Sequence, residues 1–202
     1  MIEDLFARLL VPADARQALR ARLNGPGRFY HNQRHVETLW ARHLRHGGAP
    51  DDAVTAHAIA YHDAIYVPGR SDNEALSAKL WMTESVRCPG ALRNAVRTMI
   101  LATADHRRYA GGDPLVLWML DLDLSSLGDP PVAYALYTGA LRREYAAVSE
   151  AAWRQGRATF LRDILAAPAI FRCPLRHWVL PRSYETLARH NITAELRQLQ
   201  HA

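Results

Sequence analysis

The chain has 202 residues, 49% of them hydrophobic and 22% charged. This is the balance of a globular protein, and a chain of this length can bury about 70% of its unfolded surface. Fibrous and unstructured classes are excluded. The formal charge of +5 comes from arginines spread along the chain among acidic residues, with Lys79 as the sole lysine. Such a distribution reads as solvated helix faces, not as a stripe for nucleic acid. No apolar run reaches the roughly 18 to 20 residues of a membrane span, and Glu3, Asp4 and Asp14 do not fit a signal peptide. Cys88 and Cys173 form neither a CxxC motif nor a disulfide framework. A cytoplasmic protein with no membrane partner is expected.

Helical periodicity dominates, and β-branched runs bounded by turns are missing, so the fold is expected to be all-α. An opening helix through Leu5, Leu9 and Leu10 is interrupted by Pro12 and continues through Leu19 and Leu23 until Asn24 to Gly27 break it. A second runs from near His31 to Gly47 and Gly48. Asp51 and Asp52 open a third, extending to about Tyr66 before Pro68 and Gly69. Ser71 or Asp72 caps a fourth, with Glu74 in its first turn, reaching about Val86. A fifth follows Pro89 and Gly90 through Thr103. The segment from Leu115 to Leu127 is strongly apolar yet carries Asp121 and Asp123. Stretches near 132–148, 150–166 and 183–200 complete the chain, and no second domain is read from it.

The residues that carry chemistry recur in step with these helices: His31, Asn32 and His35; His62 and Asp63; Asn73, Glu74 and Ser77; His106; and Asp121 and Asp123. His62 and Asp63 lie within the apolar stretch from Ala58 to Tyr66. A charge there costs several kcal/mol unless it is paired or bound to a cation. Adjacent helical residues point about 100° apart, so other helices must supply further ligands. His35 and an aspartate near position 123 are placed in sequence to do so. Two imidazoles and two carboxylates suit magnesium or a divalent transition ion and leave room for water and substrate, which is what metal-assisted hydrolysis needs.

Tyr30-His31-Asn32-Gln33-Arg34-His35-Val36 and Tyr61-His62-Asp63-Ala64-Ile65-Tyr66 are joined by four further stretches: 72–78, 100–106, 121–128 and 142–145. Together they resemble the HD superfamily, and within it a branch of small predicted metal-dependent phosphohydrolases. The resemblance runs from about Tyr30 to Leu199. It implies a single-domain orthogonal helical bundle, with a core of about 28–128 and C-terminal helices 132–200 packed on it. It also implies a divalent ion (manganese, magnesium, cobalt, nickel, iron or zinc) held by His35, His62, Asp63 and Asp123, with Asp121 as the alternative last ligand.

The implied substrate is a small phosphorylated molecule, with a nucleotide the first expectation, and the implied state is a monomer or homodimer. His31, Asn32, Asn73, Asp121, Arg34 and Lys79 are expected around the ligands or the substrate, and Arg70, Arg107 and Arg108 are further phosphate contacts to consider. Glu74 is the candidate base for water, or else a first-turn glutamate. His106 is a candidate acid, a phosphate contact, an extra ligand or a surface histidine. At Asn73 the chain departs from binuclear branches, which place a histidine there, and this puts a second ion in doubt. Two other functions stay open: a di-iron oxygenase, and a non-catalytic module that binds a nucleotide or a metal.

Overall fold

The computed structural model describes residues 4–49, 51–174 and 180–201. These form nine α-helices and no strand. They are α1 (Ala13–Leu23), α2 (Gln33–Arg45), α3 (Ala53–Tyr61), α4 (Asn73–Glu84), α5 (Gly90–Ala102), α6 (Pro114–Leu124), α7 (Pro131–Glu144), α8 (Glu150–Leu165) and α9 (Arg182–His201). Short 3-10 turns occupy Leu5–Arg8, Thr103–Asp105 and Ser125–Gly128. Among the described residues no helix is long and apolar enough to cross a membrane.

Short polar side chains start several of these helices by accepting orphan backbone N–H groups. Asn32 accepts from the His35 amide, Asp52 from Thr55, Asp113 from Leu115 and Ser149 from Ala152. The Asn32 cap is why α2 begins at Gln33 and not at His31. α3 stops at Tyr61, earlier than the apolar run in the sequence indicates. Arg28 takes the carbonyls of Asp63 and Ala64, while Ser77 and Asn73 take the backbone of Ile65 and Val67. These bonds replace the helical ladder and turn the chain away.

α3 and α6 are buried nearly all round, from Thr55 to Tyr61 and from Val116 to Leu122. They form the centre of a core that also holds Trp40, Trp81, Trp118, Met99 and Ile100. A helix apolar on every face must lie inside the protein. A second apolar cluster, Leu124, Leu127, Tyr134, Leu161, Ile164, Ile170, Ala188 and Ile192, joins the C-terminal helices to the end of α6. The buried Asn191 amide donates to the carbonyls of Leu127 and Asp129, tying α9 to the turn after α6.

Gly128 lies where α9 comes closest. An added Cβ would stand 2.7 Å from the Tyr184 carbonyl oxygen and 2.9 Å from its Cα. Backbone cannot yield as a flexible side-chain tip does. Gly128→Ala is therefore expected to destabilise the protein by about 1–3 kcal/mol, read as a lower midpoint in urea unfolding with an unchanged slope.

Candidate metal centre

Three helix ends converge on one point. His35 lies in the first turn of α2, His62 and Asp63 follow the last residue of α3, and Asp123 is the penultimate residue of α6. One ligand atom each from His35, His62 and Asp123 lies within 4.8 Å of the others. Asp123 Oδ1 is 3.4 Å from Nε2 of both histidines. Asp63 Oδ2 stands 3.0 Å from His62 Nε2 and 3.7 Å from His35 Nε2. Asp63 thus closes the group from the side of α3.

These contacts are not hydrogen bonds. His35 Nε2, His62 Nε2 and Asp63 Oδ2 are buried and have no hydrogen-bond partner. Buried polar atoms without partners are uncommon and costly, and here three of them point at one another. The His62 tautomer sharpens the case. Its Nδ1 lies 2.9 Å from the Ile59 carbonyl, which can only accept, so Nδ1 carries the proton and Nε2 offers a lone pair to the cluster.

The local pKa directions follow from this arrangement. Burial pushes His35 down, with Asp123 opposing, which favours the neutral ring that a ligand requires. For His62 burial acts downward, but Asp63 and Asp123 outweigh it and lift it well above its ordinary value. Burial acts upward on both carboxyls, and His62 foremost outweighs it, holding Asp63 and Asp123 below the usual carboxylate range. The donor set fits a divalent cation: two imidazoles and two carboxylates, of which His62, Asp63 and Asp123 stand at the C-terminal ends of α3 and α6, whose dipoles also favour positive charge.

His106 sits beside the cluster, its Nε2 2.8 Å from the outer oxygen, Oδ2, of Asp123. That nitrogen is engaged by the carboxylate, an orienting contact of the kind that fixes ligand geometry in metal sites. Glu74, in the first turn of α4, is half-buried. Burial raises its carboxyl above the ordinary value, with Asp63 and Asp123 adding to the shift. His31 stacks on Tyr66 with ring centroids 3.9 Å apart, and its Nδ1 is 2.6 Å from Glu144 Oε2.

The other predicted residues serve different ends. Asn32 caps α2 and so sets His35, while Asn73 clamps both backbone groups of Val67. Asp121 faces away from the cluster and accepts from the amides of Arg172 and Cys173, each at 2.8 Å. Burial raises Asp121 to about 6 against the pull of those two amides. Arg34 and Lys79 are exposed, as are Arg70, Arg107 and Arg108. Arg70 pairs with Asp72 and Arg108 with Asp105.

Several contributors were not singled out in the sequence as site residues. Arg172 Nη2 donates to the His106 carbonyl and Nη1 to that of Tyr109. A chain of contacts therefore runs from Asp121 through Arg172 and His106 to Asp123. Glu144, inside the stretch 142–145, takes the amides of Tyr30 and His31 as well as the His31 ring. Arg28 joins the His31 and Asp63 carbonyls.

A cleft of about 480 Å³ opens beside the cluster, with Asp123, His106, His31, Tyr30 and Tyr66 at one end and side chains of α7 and α8 along its walls. No protein-family model, no curated protein and no solved structure matches the chain.

Glu144 provides a test of the support on the α2 side. Burial raises its carboxyl, but the hydrogen bonds from His31 and the two amides outweigh that and hold it below its ordinary value. Its contribution is therefore complete above the unfolded pKa of about 4.5 and is lost as pH falls through the lower folded value. Glu144→Gln should cost about 2 kcal/mol at neutral pH. Thermal melts should show the gap from the native sequence closing as the pH drops below about 4.5.

Proposed function

We propose that this chain is a metal-dependent phosphohydrolase of the HD type, acting on a small phosphorylated molecule. The observation that carries the proposal is the convergence of His35 Nε2, His62 Nε2 and Asp63 Oδ2, buried and without a hydrogen-bond partner, on the half-buried Asp123. The resemblance of the motifs around these residues to the HD pattern agrees with it. His35, His62, Asp63 and Asp123 would hold the cation. When bound, such a cation polarises a phosphoryl oxygen and acidifies water beside it.

The remaining roles belong to the chain's own groups. His106 orients Asp123 by holding its outer oxygen, leaving Oδ1 for the cluster. Glu74, whose carboxyl is lifted above its ordinary value by burial, accepts the proton of the attacking water. The water oxygen forms the new bond to phosphorus, the ester P–O bond breaks, and the leaving oxygen takes a proton from solvent, to which Glu74 returns the one it accepted, yielding the alcohol and inorganic phosphate. His31, held by Glu144 and Tyr66, lies in the cleft wall where it can donate to a phosphoryl oxygen. With Nε2 of His106 engaged by Asp123, a single ion is the simpler assignment.

Elemental analysis of the purified full chain, paired with a phosphate-release screen in added manganese, magnesium, cobalt or nickel, tests the reading. About one divalent ion per chain is expected, and Asp63→Ala should lose both metal and phosphate release. Full metal retention by that variant would remove the assignment. His106→Ala should keep the fold and lower metal affinity by about 10- to 100-fold in a competition titration with a chelating dye.

A further inference from the structure

We propose that the cleft beside the cluster selects a phosphomonoester with an apolar, aromatic body, and disfavours nucleoside di- and triphosphates. This rests on the hydrolase reading above and names its substrate class. The cleft reaches the cluster itself, because Asp123 and His106 line it, so whatever fills it presents its reacting group at that end. Its volume of about 480 Å³ suits a small organic molecule.

The walls are rings. Tyr30, Tyr66, Tyr137, Tyr145, Trp153 and Phe160 all line the cleft, together with Leu124, Leu127 and Leu141. Most of the tyrosine hydroxyls are already engaged by the protein. Tyr66 donates to Tyr145, Tyr30 pairs with Ser126, and Tyr134 donates to Glu195. What these residues offer a ligand is therefore ring surface, suited to stacking on an apolar or aromatic body, more than free donors for a ribose.

Charge decides the phosphate number. Arg157 is the only lysine or arginine among the described residues lining the cleft, and its Nε and Nη2 both bond Glu195, a pair almost wholly buried. A second or third phosphate would enter an apolar cleft whose one permanent cation is already neutralised, at a cost of several kcal/mol. Among the lining residues only His31 and His106, both at the cluster end, remain as groups that can meet an anion with positive charge once Arg157 is paired.

Binding to the full chain, with and without manganese, is measured for three non-hydrolysable probes: 2-(1-naphthyl)ethylphosphonate, methylphosphonate and methylenebisphosphonate. Phosphate release is measured in parallel from 1-naphthyl phosphate, AMP, glycerol phosphate and ATP. The naphthyl probe should bind at least about thirtyfold tighter than methylphosphonate, from the apolar area it buries. 1-Naphthyl phosphate should be the best substrate. Gly156→Phe places a ring at the rim of the cleft, where an added Cβ meets no atom within 4 Å. It should cut the naphthyl preference about tenfold and leave manganese affinity unchanged; Ala152→Leu on the same rim serves if that variant folds poorly.

Equal binding of the naphthyl and methyl probes, tighter binding of the bisphosphonate, faster turnover of AMP or ATP, or an unaltered preference in both rim variants would overturn the inference. A naphthyl preference in binding without phosphate release from any ester leaves the inference standing and overturns the hydrolase reading instead. Phosphate release led by glycerol phosphate or ATP does the reverse.

Discussion

Two carboxylates, one buried and one half-buried, facing two buried imidazoles is the constraint on which the rest of the molecule depends. At an effective dielectric near 20, two like charges about 4 Å apart repel by about 4 kcal/mol, and no neighbouring donor relieves Asp63 Oδ2. Positive charge must enter, as a proton or as a metal ion. A proton on His62 answers one lone pair and leaves a net negative charge with His35 still unpaired. A divalent cation matches both carboxylates and both rings together, and the C-terminal ends of α3 and α6 favour it further. The price of assembling such a group is otherwise hard to reconcile with a core as apolar as that around Trp40, Trp81 and Trp118.

Holding the group together falls to backbone carbonyls tied by arginines. Arg28 draws the His31 loop against the turn of Asp63, and Arg172 draws the His106 loop against α6. Each guanidinium spans two segments distant in sequence, which a planar set of donors does better than a lysine ammonium. This gives some of the many arginines an architectural use unconnected with nucleic acid. It also explains how His106 stays within reach of Asp123 although it sits in an irregular segment after a 3-10 turn.

Most helices were legible in the sequence because each depends on local information, whereas the four residues that meet were expected from the resemblance of the motifs around them. Apolar periodicity marks α2 and α5, Asp52 announces the start of α3, and ionisable residues inside apolar runs draw attention to His62, Asp63 and the pair Asp121 and Asp123. Boundaries set by distant partners were not legible. The run from Ala53 reads on to Tyr66, and only bonds from Arg28, Asn73 and Ser77 end α3 at Tyr61. Asp121 and Asp123 look alike in sequence, yet two residues along a helix place them on different faces, one on the cluster and one on the Arg172 amide. Glu144 and Arg172 gain meaning through contacts more than 50 residues away.

Chemistry and selection are divided along the chain. Every candidate ligand precedes Gly128, whereas nearly half of the cleft lining comes from α7 and α8, and α9 braces that wall through the pair of Glu195 with Arg157 of α8. The brace is nearly dry, and Tyr134 joins it from α7, so three helices that contribute nothing to the cluster are locked to one another. Tyr30 and Tyr66 bridge the two halves, standing in the same motifs as His35 and Asp63 and each lining the cleft. A change in the wall can thus alter which molecule is admitted without moving the cluster, because the two are fixed by separate sets of bonds. The reverse does not hold, since Asp123 belongs to both.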